Sequence, residues 1–119
     1  MPFDEFLADR IRIALKQKRV AYHEKKMMGG LSFMVNDKMC VGVVKDELMV
    51  RIDPEIYEES LKKPGCHAMD FTGRVLKGFV LVSPEGIDME EDLTYWIELA
   101  LEFNPKAQSS KSKKKKSPR

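Results

Sequence analysis

The stretch Gly30-Leu31-Ser32-Phe33-Met34-Val35-Asn36-Asp37-Lys38-Met39-Cys40-Val41-Gly42-Val43-Val44-Lys45-Asp46-Glu47-Leu48-Met49-Val50-Arg51-Ile52-Asp53 decides the fold class. Leu31, Phe33 and Val35 alternate with Ser32 and Met34. Met39, Val41 and Val43 alternate with Cys40 and Gly42, and Leu48, Val50 and Ile52 with Met49 and Arg51. A period of two marks strands with one apolar face. Asn36-Asp37-Lys38 and Lys45-Asp46-Glu47 interrupt the runs at hairpin length. Parallel strands need crossovers of about a dozen residues, so the stretch predicts an antiparallel meander, entered through a further strand at Lys25 to Met28.

Upstream the period lengthens to 3.6. Phe3, Phe6, Leu7, Ile11, Ala14 and Leu15 fall on one stripe and Glu5, Asp9, Arg12 and Lys16 opposite, which predicts an amphipathic helix from Phe3 to about Lys18. Downstream, Asp53-Pro54 supplies an N-cap and a first helical residue for a short helix with Ile56, Tyr57 and Leu61 inward. Lys63-Pro64-Gly65 ends it. A weaker segment, His67 to Phe71, leads to a strand at Gly78 to Val82. Asp88 with Glu91 forms an N-cap pair for a last helix whose stripe is Met89, Leu93, Trp96, Ile97, Ala100 and Leu101, stopped by Asn104-Pro105. The expected fold is α+β. One antiparallel sheet of about five strands is covered by helices, in the order helix, three or four strands, helix, two strands, helix.

Composition narrows the class further. With 119 residues, 43% hydrophobic and 34% charged, the chain is one soluble domain's worth. No run approaches the roughly 18 uncharged apolar residues of a membrane span, and Met1-Pro2-Phe3-Asp4-Glu5 lacks the pattern of a secretory signal. Two cysteines make no disulfide framework, so a cytoplasmic location is expected. The net charge of +2 conceals a division: Lys106, Lys111, Lys113, Lys114, Lys115, Lys116 and Arg119 face no acid between 106 and 119. The remaining 14 basic and 19 acidic residues give residues 1–105 a net −5. Past Pro105 no apolar residue is larger than Ala107, too little to offset the entropy of ordering. Residues 1–105 are therefore expected to form the domain and 106–119 a disordered, lysine-rich tail.

Lys26-Met27-Met28-Gly29-Gly30, Phe33-Met34-Val35-Asn36-Asp37-Lys38-Met39, Leu48-Met49-Val50-Arg51-Ile52-Asp53, then Met69, Lys77-Gly78-Phe79 and Trp96 form an ordered series. The series resembles the TfoX N-terminal domain family, named after a regulator of natural competence, over roughly residues 10 to 103. Met28 stands where that family usually carries an aromatic residue. The resemblance implies a compact α+β fold similar to secretion-chaperone domains. It implies a regulatory or adaptor role through protein contacts, without catalysis.

The residues offer several candidate sites, each beside a plainer reading. Gly29-Gly30 after Lys25-Lys26 suggests a phosphate cradle, yet neither phosphate-loop pattern is present, and glycines at a strand junction also relieve a bulge. Arg51, Arg74 and Lys77 would join Gly29 and Gly30 in a small anionic-ligand site, or be ordinary solvated charges. Cys66-His67 with Asp70 suggests a nucleophile, with Cys66 in an exposed loop, but catalysis needs a base held beside the thiol. With Cys40 and His23 as the only other such residues, no zinc spacing exists, and neither metal nor cofactor is expected. The acids Glu58-Glu59 and Glu90-Glu91-Asp92 suit helix N-terminal halves. Met34 and Met49, if they project beside Val44, make an adaptable protein-binding surface, for a homodimer or another protein. Lys111, Lys113, Lys114, Lys115, Lys116 and Arg119 would give non-specific affinity for nucleic acid. No membrane partner is expected.

Overall fold

The computed structural model describes residues 3–27, 30–71 and 74–106; side chains at 27, 70, 71 and 74–76 fall outside that description, as do Met28, Gly29 and residues 107–119 with the tail's expected disorder. Among the described residues three α-helices and six strands follow one another as α1 (Glu5–Gln17), β1 (His23–Met27), β2 (Gly30–Val35), β3 (Lys38–Val44), β4 (Glu47–Arg51), α2 (Tyr57–Ser60), β5 (Cys66–Phe71), β6 (Arg74–Val82) and α3 (Glu90–Phe103). Single 3-10 turns precede α2 and α3 and follow α3. The strands form one sheet in the order β1-β2-β3-β4-β6-β5, each neighbouring pair antiparallel. The expected entry strand is β1, which begins at His23 instead of Lys25, and β6 is longer than expected, beginning at Arg74 instead of Gly78.

Register sorts the side chains into two faces. Leu31 opposes Val43, Phe33 opposes Val41, Val43 opposes Leu48, Val41 opposes Val50, and Val50 and Leu48 oppose Val80 and Val82. These residues share one buried cluster with Leu7, Ile11 and Leu15 of α1 and Leu93, Trp96, Ile97 and Ala100 of α3. The helices thus cover one side of the sheet, and burying their apolar stripes there supplies most of the driving force. The β2–β3 turn places Asn36 and Asp37 at φ 56° and 62°, the two left-handed residues of the hairpin turn whose twist matches that of strands.

Four sequence expectations need correction. Phe33 opposes Val41, but Met34 opposes Met39. Cys40 is therefore an extra, unopposed residue, and one added residue turns the strand over. Met39 leaves the face of Val41 and Val43 and joins Met34. On α1, Phe6 is 72% exposed. It lies about 100° around the helix from Leu7, so the expected stripe was wider than one face can bury; Phe3 precedes the helix and bridges to Lys45. Asp4 caps α1, accepting from the Phe6 and Leu7 amides at 2.9 and 3.3 Å. At α3 the residue before the helix is Met89, without a side-chain cap. The Asp88 carbonyl instead lies 3.4 Å from Arg10 Nη2, and Met89 is 57% exposed. Finally, Cys66 is no exposed loop residue: it opens β5, half-buried against the core.

Asn104 closes the fold. Buried just past α3, its Nδ2 donates to the Val35 carbonyl at 3.1 Å, while its Oδ1 accepts from Asn36 Nδ2 at 2.8 Å. Lys38 Nζ donates to the Asn104 carbonyl at 3.1 Å. The end of α3 is so fastened to the β2–β3 hairpin.

Candidate interaction surface

Parity puts the other residues of the strands on the side away from the helices. His23 opposes Met34, Lys25 opposes Ser32, Ser32 opposes Gly42, Gly42 opposes Met49, and Met49 and Arg51 oppose Leu81 and Phe79. Met34, Met39, Val44, Phe79 and Leu81 are half-buried there. Ser32 and Met49 are buried but stand apart from the main cluster. Among the described residues no helix packs on this side.

The middle of the face is built around Gly42. A Cβ at 42 would lie 2.7 Å from the Leu31 carbonyl oxygen and 2.7 Å from Met49 Cε. The Met49 methyl occupies that space, so Met49 is only 5% exposed although no helix among the described residues packs above it. Next to it the buried Ser32 hydroxyl has no hydrogen-bond partner among the described residues, an unusual state for a buried polar group.

The charges on this face are mostly basic. Arg51 lies over the Phe79 ring at 5.5 Å, within cation–π range. Burial lowers its pKa, and the neighbouring Cys40 acts the other way. Lys77 is exposed two residues along β6 from Phe79, and Lys25 is exposed on β1. Glu47 Oε2 lies 2.9 Å from His67 Nε2 across the sheet.

The sequence-predicted sites are distributed as follows. Gly30 opens β2, where a Cβ would strike the Val43 carbonyl; Gly29 is outside the described residues, as is the Arg74 side chain. Gly30 opposes Val44, which opposes Glu47, four residues from Arg51. By strand spacing Gly30 and Arg51 are roughly 16 Å apart, so the two do not converge on one small ion. Arg51 and Lys77 do share a face. Lys111, Lys113 to Lys116 and Arg119 are all outside the described residues.

Cys66 opposes Val82 and His67 opposes Leu81. The two side chains therefore point to opposite faces, and His67 cannot serve as a base for Cys66. Burial pushes the Cys66 thiol up to about 11 and the Cys40 thiol up to about 12, with Arg51 partly offsetting the latter. Thiols so shifted are poor nucleophiles at neutral pH. Among the described residues no three His, Cys, Asp or Glu side chains gather as metal ligands. Two clefts of about 200 and 250 Å³ flank α3, one lined by Asp53, Ile56, Leu99 and Glu102 and the other by Lys63, Gly86, Tyr95 and Trp96. Both are below the usual size of a small-molecule site. No helix among the described residues is long and apolar enough to cross a membrane.

With this sheet, its hairpins and its helix order in hand, comparison with family models is decisive: the TfoX N-terminal domain model matches residues 15–104. The chain belongs to the TfoX N-terminal domain family. No curated protein matches it. The matched span runs from Leu15, near the end of α1, through all six strands to Asn104, so the helix-free face lies wholly within the TfoX N-terminal domain. The first ten residues of α1 lie before it.

Sequence reasoning missed two features of this TfoX N-terminal domain. The placement of Met39 depends on the bulge at Cys40, which no residue type announces. The exposure of Phe6 was signalled by Ile13, one place beyond the expected stripe and two turns from Phe6.

Proposed function

We propose that this TfoX N-terminal domain is a non-catalytic, cytoplasmic regulatory adaptor that works by protein contact through the helix-free face of its sheet. The observation that carries the reading is the set Met34, Met39, Val44, Met49, Phe79 and Leu81 on a face without a covering helix among the described residues. Methionine side chains are flexible and polarizable, and they re-pack around partners of varied shape. Lys25, Arg51 and Lys77 stand on the same face, while Glu47, the carboxylate among its described strand side chains, is engaged by His67. A domain with a net −5 thus presents a basic, apolar patch, and the complementary partner is an apolar segment flanked by Asp or Glu. A segment that displaced Met49 would also give the Ser32 hydroxyl a backbone partner.

Peptide-display selection against the full chain tests this. The selected peptides are expected to combine acidic residues with Leu, Ile, Phe or Trp. Their affinity should fall at least tenfold for Leu81→Glu/Lys25→Glu, with the urea midpoint of that variant close to the wild type. Peptides lacking acidic enrichment, or binding the variant equally well, would refute the surface.

A second reading rests on the seven basic residues without an acid from Lys106 to Arg119. It makes the chain a nucleic-acid-associated protein whose tail, through Lys111, Lys113, Lys114, Lys115, Lys116 and Arg119, binds phosphate without reading sequence. If all seven basic residues, Lys106 included, contact phosphate on duplex DNA, the log–log salt slope is about −6. Fluorescence anisotropy at two salt concentrations should show that binding lost in a chain ending at Pro105. Absence of binding at low salt by the full chain rejects it.

A further inference from the structure

We infer that the outward side of α1 is a self-association face, on which a second copy of this chain packs its own α1 in the antiparallel sense. This surface is separate from that of the proposed function and faces the other way. Leu7, Ala8, Ile11 and Leu15 point α1 into the core. Phe6 and Ile13, seven residues apart, lie within about 20° of one another and almost opposite that side. Phe6 is 72% and Ile13 57% exposed. The patch extends sideways through Arg10, whose Nη2 donates to the Ile87 carbonyl at 2.8 Å, to Met89, also 57% exposed. Scattered exposed apolar residues need no explanation; a cluster of three large ones marks an interaction site.

The choice of a second copy follows from the charges. Glu5, Asp9 and Lys16 line one flank of the Phe6–Ile13 stripe, the acids in the first half and the lysine in the second. A two-fold axis crossing α1 midway between Phe6 and Ile13 sets Phe6 against Ile13 of the second copy and brings this flank against itself, reversed. Glu5 then stands within about 3 Å, along the axis, of the level of Lys16 in the second copy. Neither Glu5 nor Lys16 makes an ion pair among the described residues. Asp9, which falls near the axis and would meet its own copy, is already neutralised by Arg12 at 2.6 Å. The antiparallel sense also opposes the two helix dipoles favourably. A pair of helices each about 20 Å long falls at the small end of specific interfaces. A weak, reversible dimer with a Kd on the order of 100 μM is expected.

Sedimentation equilibrium of the full chain from roughly ten-fold below to ten-fold above that Kd tests it. The weight-average mass should rise from 13.7 kDa toward twice that value. Phe6→Glu/Ile13→Glu, two changes at exposed positions, should stay monomeric throughout, with an unaltered circular dichroism spectrum and melting curve. Glu5→Lys or Lys16→Glu alone should weaken the dimer about tenfold, counting two symmetry-related pairs. The double exchange Glu5→Lys/Lys16→Glu should restore it, which a parallel or unrelated contact would not. A wild type of 13.7 kDa at every concentration overturns the inference. So does a Phe6→Glu/Ile13→Glu chain that dimerises undiminished, or a double exchange that gives no rescue.

Discussion

Replacing Asn104 by alanine removes the amide that joins the end of α3 to the β2–β3 hairpin. In the folded chain Nδ2 donates to the Val35 carbonyl at 3.1 Å in a buried setting, and Oδ1 accepts from the exposed Asn36 at 2.8 Å. The two lost bonds are unequal. Water can replace Oδ1 for the Asn36 amide, but the buried Val35 carbonyl loses its side-chain donor and keeps only its pairing with Lys38 across the hairpin. Losing one buried hydrogen bond costs about 0.5–1.5 kcal/mol, and a central value of about 1 kcal/mol lowers the melting temperature of a domain this size by roughly 5 °C. Urea unfolding followed by Trp96, the single tryptophan and 2% exposed, reads the change directly, with the midpoint falling by roughly 0.5–1 M at constant slope. Asn36→Gly is the control. Glycine keeps the positive φ of 56° and deletes only the exposed partner, so it should stay within about 0.5 kcal/mol of the wild type. A loss at Asn104→Ala below about 0.5 kcal/mol, or one no larger than that of Asn36→Gly, would refute the assignment of the cost to the buried bond with Val35.

Three further changes bear on the same architecture. Gly42→Ala should destabilise by about 2 kcal/mol, because its Cβ meets the Leu31 carbonyl as well as Met49 Cε; shortening Met49 at the same time should recover only part of the loss, read by the same urea titration. Thiol-reagent rates on the folded chain should be slow at pH 7 and rise with pH toward 11, where Cys66 ionises. Both folded thiols titrate above the ordinary value of 9.0, so the unfolded chain binds fewer protons between 9 and about 12. Stability should therefore fall as pH rises through that window and level off above it, a slope that Cys40→Ala/Cys66→Ala removes from urea midpoints measured at pH 8 and 10.5. Arg12→Ala should cost under about 1 kcal/mol, since its pairs with Glu24 and Asp9 are largely exposed, even though the bond to Glu24 holds the Arg12 pKa above its ordinary value. Thermal melts at low and high salt should show that small difference shrinking as salt is added.

The parts of the fold legible in the sequence were those set by periodicity. Alternation between Leu31 and Ile52 fixed the meander because every second side chain enters one core, and Asn36-Asp37 marked a turn that needs two left-handed residues. The helix-free face was half legible. Parity grouped Met34 with Met49, and the register confirms that grouping, yet parity cannot anticipate the single residue at Cys40 that carries Met39 across. The weak segment after Pro64 became a full strand because it forms a hairpin with β6, paired from Phe71 and Arg74 back to Cys66 and Val82, and that pairing overrides local preference. In the helices the errors share one cause. Apolar character alone places Phe6 and Met89 inward, but a surface helix buries only part of its circumference, and Met89 stands just before α3. The surplus residues are the exposed ones.

The two surfaces face opposite ways, and that arrangement carries a last consequence. The α1 stripe points away from the sheet on the side that the helices cover, while the methionine face looks outward on the other. A dimer through α1 is thus back to back and leaves both methionine faces open, so a partner displaying two acidic, apolar segments can engage both. Linking two weak contacts in this way raises apparent affinity by about 10² to 10⁴ where the linker spans the sites. The tandem peptide should therefore bind the wild type far more tightly than a single copy does, with the gain growing with protein concentration as the dimer fills. In Phe6→Glu/Ile13→Glu the single peptide should bind as before and the tandem gain should vanish. Calorimetric titration with both peptides separates the terms. A tandem gain of equal size in the variant would mean that the second segment finds its contact on the same copy, and the back-to-back arrangement would then have no part in binding.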